Sequence, residues 1–251
     1  MRVMRQIAKV LVKNIVTRRI YALCCKVPLL RDLPVVFIDF EGLRYYATFQ
    51  DIWRTTQRIE PLTREFLMNN AKENYVFLDV GAHIGIYTIR LARKVARVIA
   101  LEPELRNFYF LAKNIVINNV DNKVIALPIA ASDKDGYASL CIKESSAEHS
   151  LEDSSNCIRK VKVITMRIDS LLKILNIDGV DIMKIDVEGH EDKVVNGMSN
   201  LLNRNPPRIL VVEISKKNLG LLKFFAEKGY KTFSLDCWSF STCNYGFYLA
   251  E

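Results

Sequence analysis

The segment Val76-Phe77-Leu78-Asp79-Val80-Gly81-Ala82-His83-Ile84-Gly85 constrains the fold more tightly than any other part of the chain. An apolar strand pattern from Tyr75 to Val80 runs into a turn holding two glycines, and a helical pattern continues from Ile84 to about Val95. Strand, glycine turn and helix in that order belong to a parallel α/β sheet, whose ligands sit at the carboxyl edge of the strands. Gly81 and Gly85 carry no Cβ to hold a ligand off the main chain, and the helix start aims its amides at the same place. Asp79, Gly81, Ala82, His83 and Gly85 therefore make a candidate cofactor-binding turn.

A dinucleotide fingerprint has a middle glycine that is missing here, so a pyrophosphate is poorly served. Glu102 ends the next apolar strand, Val98-Ile99-Ala100-Leu101, where its carboxylate is placed to accept two hydrogen bonds from a ribose diol. A phosphate-free adenosine ligand suits the pair, and S-adenosylmethionine is such a ligand. The glycines alone would also fit a plain turn, and Glu102-Pro103 a solvated strand end; together they favour the cofactor.

The rest of the chain supplies the sheet. Val35 to Phe40 and Leu43 to Ala47 flank Glu41-Gly42 as a hairpin, and Pro61 opens a helix to about Asn70. Residues 1–72 read as an N-terminal extension of helix, hairpin and helix, and residues 73–251 as the cofactor-binding domain. From Tyr75 the pattern alternates, with a helix to Val95, a strand at Arg97 to Leu101, a helix at Leu105 to Asn118 and a strand at Lys123 to Ile129. Ala138 to Lys143 and Val161 to Ile168 read as an inserted hairpin around a polar, mobile loop, Glu144 to Asn156. Alternation resumes with Asp181 to Val187, a helix to about Leu202, Arg208 to Ile214, a helix near Lys217 to Lys228 and Tyr230 to Leu235. Tyr245 to Leu249 is expected to pair antiparallel at the end of the sheet.

The net charge of +8 raises the question of nucleic acid or an anionic membrane. Arg2, Arg5, Lys9, Lys13, Arg18, Arg19 and Lys26 lie beside an apolar stripe of Met4, Ile7, Ala8, Leu11 and Ile15. This basic amphipathic helix either lies on an anionic membrane surface or packs its stripe on the core. No apolar run is long enough to span a bilayer and no secretory pattern opens the chain, so a cytoplasmic protein, membrane-associated at most at its periphery, is expected. The six cysteines are scattered without C-x-x-C spacing and read as reduced, mostly buried thiols.

A second strand passes into a helix at Asp181-Ile182-Met183-Lys184-Ile185-Asp186-Val187-Glu188-Gly189-His190-Glu191. In a doubly wound sheet its carboxyl end faces the crevice of Gly81. Asp186, Glu188 and His190, with Glu213 at the end of the adjoining strand, offer groups to orient a hydroxyl and take its proton during methyl transfer. Either Asp186 or His190 is the base, with Glu188 and Glu213 holding the acceptor's hydroxyls; His190 fits equally a solvent-facing first-turn residue. Glu191 and Asp192 are explained by the helix dipole alone. Asp186 and Glu188 offer oxygens that a divalent ion could join, but no full set of metal ligands is visible and no metal is expected.

These residues resemble the FkbM-type methyltransferases, a class I S-adenosylmethionine-dependent family. The resemblance rests on Leu78 to Gly85 with Tyr87-Thr88, on Ala131-Ser132-Asp133 with Gly136, on Ile168-Asp169-Ser170-Leu171, and on Lys184 to Glu191. It implies a Rossmann-like, mostly parallel sheet of about seven strands with helices on both faces. It places the donor over Gly81 to Gly85, Glu102 on the ribose, and Ala131, Ser132 and Asp133 beside the adenine. It also implies transfer to an oxygen of a small molecule, sugar or glycan. Where the family often has Asn this chain has His83, and either side chain donates a hydrogen bond. An RNA methyltransferase is the main rival, disfavoured because no RNA-binding module accompanies the motifs. A non-catalytic cofactor- or membrane-binding protein of the same fold is the other.

Overall fold

The computed structural model describes residues 33–48, 51, 60–146, 148–152, 155–239 and 242–250. The basic amphipathic segment of residues 1–30, with Cys24 and Cys25, lies outside them. Among the described residues no helix is long and apolar enough to cross a membrane.

An antiparallel hairpin of β1 (Pro34–Ile38) and β2 (Arg44–Thr48) comes first, then helix α1 (Pro61–Asn70). Alternation follows as expected with β3 (Val76–Val80), α2 (Ile86–Ala92), β4 (Arg97–Leu101), α3 (Leu105–Ile117) and β5 (Val124–Leu127). Next come β6 (Ile129–Ala131), β7 (Gly136–Ile142), β8 (Arg159–Met166) and α4 (Ile168–Ile174). The chain closes with β9 (Ile182–Ile185), α5 (Glu191–Asn196), α6 (Ser199–Arg204), β10 (Ile209–Ser215), α7 (Gly220–Glu227), β11 (Tyr230–Ser239) and β12 (Thr242–Leu249).

The main sheet has seven strands in the order β11-β12-β10-β9-β3-β4-β5. All neighbouring pairs from β10 to β5 are parallel, and β12 runs antiparallel to both β10 and β11. Strand residues alternate between two apolar layers, as parallel strands buried on both faces must. Phe77, Val98, Ile182 and Val211 pack against α2, α3 and the hairpin, while Leu78, Ile99, Met183 and Val212 pack against α4 to α7.

Several boundaries differ from the sequence reading for local reasons. The strand expected over Lys123 to Ile129 is two, because Pro128 has no N–H to donate; beyond it β6 joins a separate three-stranded sheet, β6-β8-β7. Ile168 does not end a strand but opens α4, whose Asp169 carboxylate accepts the Asn200 and Leu201 amides at 3.0 Å each. The long helix expected to Leu202 is broken into α5 and α6 at Gly197-Met198, where a Cβ on Gly197 would strike the Ser132 carbonyl oxygen. β12 is not the terminal strand but lies inside the sheet. The expectation of reduced thiols is also corrected: Cys141 is bonded to Cys157, and Cys237 to its cross-strand partner Cys243. Hairpin geometry brings these pairs together across spacings that carry no cysteine motif.

Two buried polar side chains fasten the N-terminal hairpin to the sheet. Arg90 of α2, 2% exposed, pairs with Asp39 and with Glu41 (Nε to Oε2, 3.0 Å) and donates to the Tyr45 hydroxyl at 3.0 Å. Asn114 of α3 donates to the carbonyls of Tyr46 and Ile84 and accepts the Tyr46 amide.

Candidate active site

The glycine turn is latched to the neighbouring strand: the amides of Gly81 and Ala82 both donate to the Leu101 carbonyl, at 3.0 and 2.9 Å. Gly81, His83 and Gly85 all have positive φ, at 85°, 52° and 89°. A Cβ on Gly81 would run into the Asp186 carbonyl oxygen, and one on Gly85 would lie 2.6 Å from Leu111 Cδ1. The missing Cβ atoms thus make room for β9 and α3, a reason the sequence did not disclose. His83 occupies a left-handed conformation in which Asn and His are enriched among non-glycine residues, which explains the interchange at this position.

Glu102 is 6% exposed; its Oε2 accepts the His83 amide at 2.8 Å and its Oε1 the Glu104 amide at 2.9 Å. Burial pushes its carboxyl up to about 7. Asp79 is buried as well, accepts the Thr88 hydroxyl at 2.6 Å, and is pushed by burial up to about 6.

Across the floor, strand register builds a polar row. Asp79 pairs with Lys184, Val80 with Ile185 and Val212 with Ile185, so Gly81, Asp186 and Glu213 follow side by side, and Glu213 pairs with Asn244 of β12. Lys184, 3% exposed, donates to Asp186 Oδ2 at 2.5 Å. Burial by itself would lower its pKa, but Asp186, Glu60 and Asp79 outweigh that and hold it above the ordinary lysine value. Glu60, at the start of α1, accepts the Tyr87 hydroxyl, and its carboxyl is raised by burial. Glu213 is pushed up to about 10, by burial first and then by the charges of Asp186 and Glu188.

A cover closes the opposite side. Ser146 lies 3.0 Å from His83 Nε2, donates to Asp51 at 2.6 Å and accepts the Asn107 side-chain amide through its carbonyl. Ser150 donates to the Glu188 carbonyl at 2.7 Å. His190 has both ring nitrogens engaged, Nε2 with the Ser132 hydroxyl at 3.0 Å and Nδ1 with Glu152 at 2.7 Å.

Residues 79–232 match the family model described as the methyltransferase FkbM domain. The chain belongs to the FkbM methyltransferase family. Members of that family take their methyl group from S-adenosylmethionine. It is 30% identical over 166 residues to the hexuronic acid methyltransferase AglP of Haloferax volcanii, covering 66% of each chain. It is 25% identical over 162 residues to the methyltransferase sdnD of Sordaria araneosa, covering 51% of this chain and 62% of that one. The match thus spans just under two thirds of either relative. The fold superposes on the FkbM methyltransferase of Methylobacillus flagellatus KT with a TM-score of 0.51 and 14% identity, covering 93% of this chain and 60% of that one.

In this FkbM protein Asp79, Gly81, Ala82, His83, Glu102, Ala131, Asp186, Glu188 and His190 line one cavity. Gly85, Ser132, Asp133 and Glu213 do not line it: Asp133 turns to Lys193 at 3.5 Å, Ser132 supports His190, and Glu213 lies behind Asp186 and Glu188. Glu191 is not a solvated dipole residue; buried, it accepts the amides of Val187 and Gly189 and the Asn218 side chain, and so folds the 187–191 turn. Lys184, Tyr87 and Glu60 were missed as site residues. A lysine between Met183 and Ile185 in a buried strand was a legible signal for the first, and Tyr87 belongs to the motif after Gly85; nothing local marks Glu60.

Proposed function

We propose that this FkbM methyltransferase transfers the methyl group to a hydroxyl oxygen of a sugar or similar polyol. The observation that supports this most is a glycine turn and the carboxylates of Asp186 and Glu188 sharing one cavity, the turn suited to the donor and the carboxylates to hydroxyl groups. Glu102 fits the donor's ribose: each oxygen accepts one backbone amide, which leaves a lone pair on each for a diol. The donor supplies an electrophilic methyl, and the chain's residues orient the acceptor and receive its proton. Asp186, fixed by Lys184 and lining the cavity, is the foremost proton acceptor. His190, with both nitrogens engaged, positions Ser132 and Glu152 instead. The row disfavours RNA as acceptor, because carboxylates repel a phosphate backbone.

Asp186→Asn should lower turnover by about 10²–10⁴-fold while donor affinity stays within about threefold. Wild-type turnover in that variant would discard the assignment. Donor binding should also depend on pH. Glu102 titrates near 7 and the diol needs its ionised form, so S-adenosylhomocysteine affinity rises as pH climbs to 7 and levels off above it. Between pH 6 and 8 the gain is about tenfold for a single linked group. Calorimetry across that range should show the slope in the wild type and lose it in Glu102→Gln.

The acceptor is tested by a screen with labelled S-adenosylmethionine over neutral sugars, hexuronic acids, polyols and RNA. Label in an alkali-stable ether on a hydroxylated acceptor supports the reading. Label in RNA alone, or in an alkali-labile ester, overturns it.

A further inference from the structure

We propose that Asp186, Glu188, Glu213 and Asn244 form a binding site for a hard divalent cation of the Mg²⁺ or Mn²⁺ class. Carboxylate oxygens of the first three lie within 4.8 Å of one another, a span that two metal–oxygen bonds of about 2.1–2.4 Å bridge. Asn244 supplies an independent observation. It is 1% exposed, neither amide atom makes a hydrogen bond, and it stands directly across the ladder from Glu213, on the same face of the sheet. The Glu60 carboxyl lies near this amide without meeting hydrogen-bond geometry. A buried amide left without partners beside a carboxylate row is what a ligand carbonyl oxygen looks like before its ion arrives.

Charge points the same way. Asp186, Glu60 and Asp79 face the Lys184 ammonium, and Glu188 and Glu213 bring two more carboxylates beside Asp186, a concentration of negative charge that a divalent ion offsets. The donor set is all oxygen, which selects magnesium or manganese over zinc or copper. His190 contributes nothing, since Ser132 and Glu152 occupy its nitrogens. Asp186, Glu213 and Asn244 stand at or beside the ends of adjacent strands, so their spacing is set by the sheet rather than by a loop. That the ion orients the acceptor's hydroxyls rests on the O-methylation reading; the site itself does not.

The test is titration of Mn²⁺ alone into the full chain without donor or acceptor, with free Mn²⁺ followed by electron paramagnetic resonance. One ion should bind per chain; Glu213→Gln and Asn244→Leu should each weaken it by at least about tenfold, while Glu102→Gln leaves it unchanged. Circular dichroism checks that each variant is folded, and if one is not, the other carries the comparison. Absence of saturable uptake by the wild type, or wild-type uptake by a folded Glu213→Gln or Asn244→Leu variant, overturns the proposal. Neither result touches the methyl-transfer screen, and a failed screen leaves the ion titration standing.

Discussion

Gly81→Val should abolish measurable binding of S-adenosylhomocysteine, a loss of at least about 100-fold by calorimetry, with a lowered melting temperature. Two effects add. The position has a φ of 85°, where a β-branched residue is strained, and the new Cβ points at the Asp186 backbone, which has no rotamer by which to yield. Relief requires β3 and β9 to part at their carboxyl ends, displacing the donor turn and Asp186 together. Gly85→Ala is the control. There the obstacle is the tip of Leu111, a flexible side chain, so a loss of about 1–2 kcal/mol in stability with retained binding is expected. Equal binding by Gly81→Val and the wild type would mean that the two strands do not approach as described.

Arg90→Met should destabilise the fold by about 3–5 kcal/mol, because it leaves the fully buried Asp39 side chain without its counter-ion. For a chain of this size that is a fall of about 10 °C in melting temperature. The loss should itself depend on pH. Burial already raises the Asp39 carboxyl above its ordinary value, with Arg90 opposing, so removing Arg90 raises it further. A folded-state pKa above the unfolded one means the fold is favoured while the group is protonated and weakened once it ionises. The deficit of Arg90→Met should therefore be small near pH 4 and grow towards pH 7. Asp39→Asn in the Arg90→Met background should recover part of it. A deficit under about 1 kcal/mol at pH 7, by denaturant unfolding, would show that the hairpin is held by its apolar contacts alone.

The sheet was legible because parallel strands buried on both faces leave continuous apolar runs, and the turn because glycines at positive φ have few substitutes. Legibility failed where structure depends on partners far along the chain. Arg90 reads as a surface arginine of a helix until Asp39 and Glu41 are seen against it. Glu60 and Tyr87 meet across 27 residues, and Glu213 meets Asn244 across a strand whose place inside the sheet no local pattern announced. Gly81 reads in the sequence as a glycine kept for a ligand, whereas its Cβ would strike the neighbouring strand. Glu191 was dismissed on its helix position, although its carboxylate gathers three donors from the turn before it and from Asn218.

Ala131 and Met166 are register partners, so the segment between them departs from and returns to nearly the same point. Everything it carries over the cavity, including Ser146, Ser150 and Glu152, hangs from that single pair of joints, with the Cys141–Cys157 bond cinching its neck. Such a flap is a natural graft: its two joints lie so close together that evolution or an engineer can exchange it whole without breaking the main sheet.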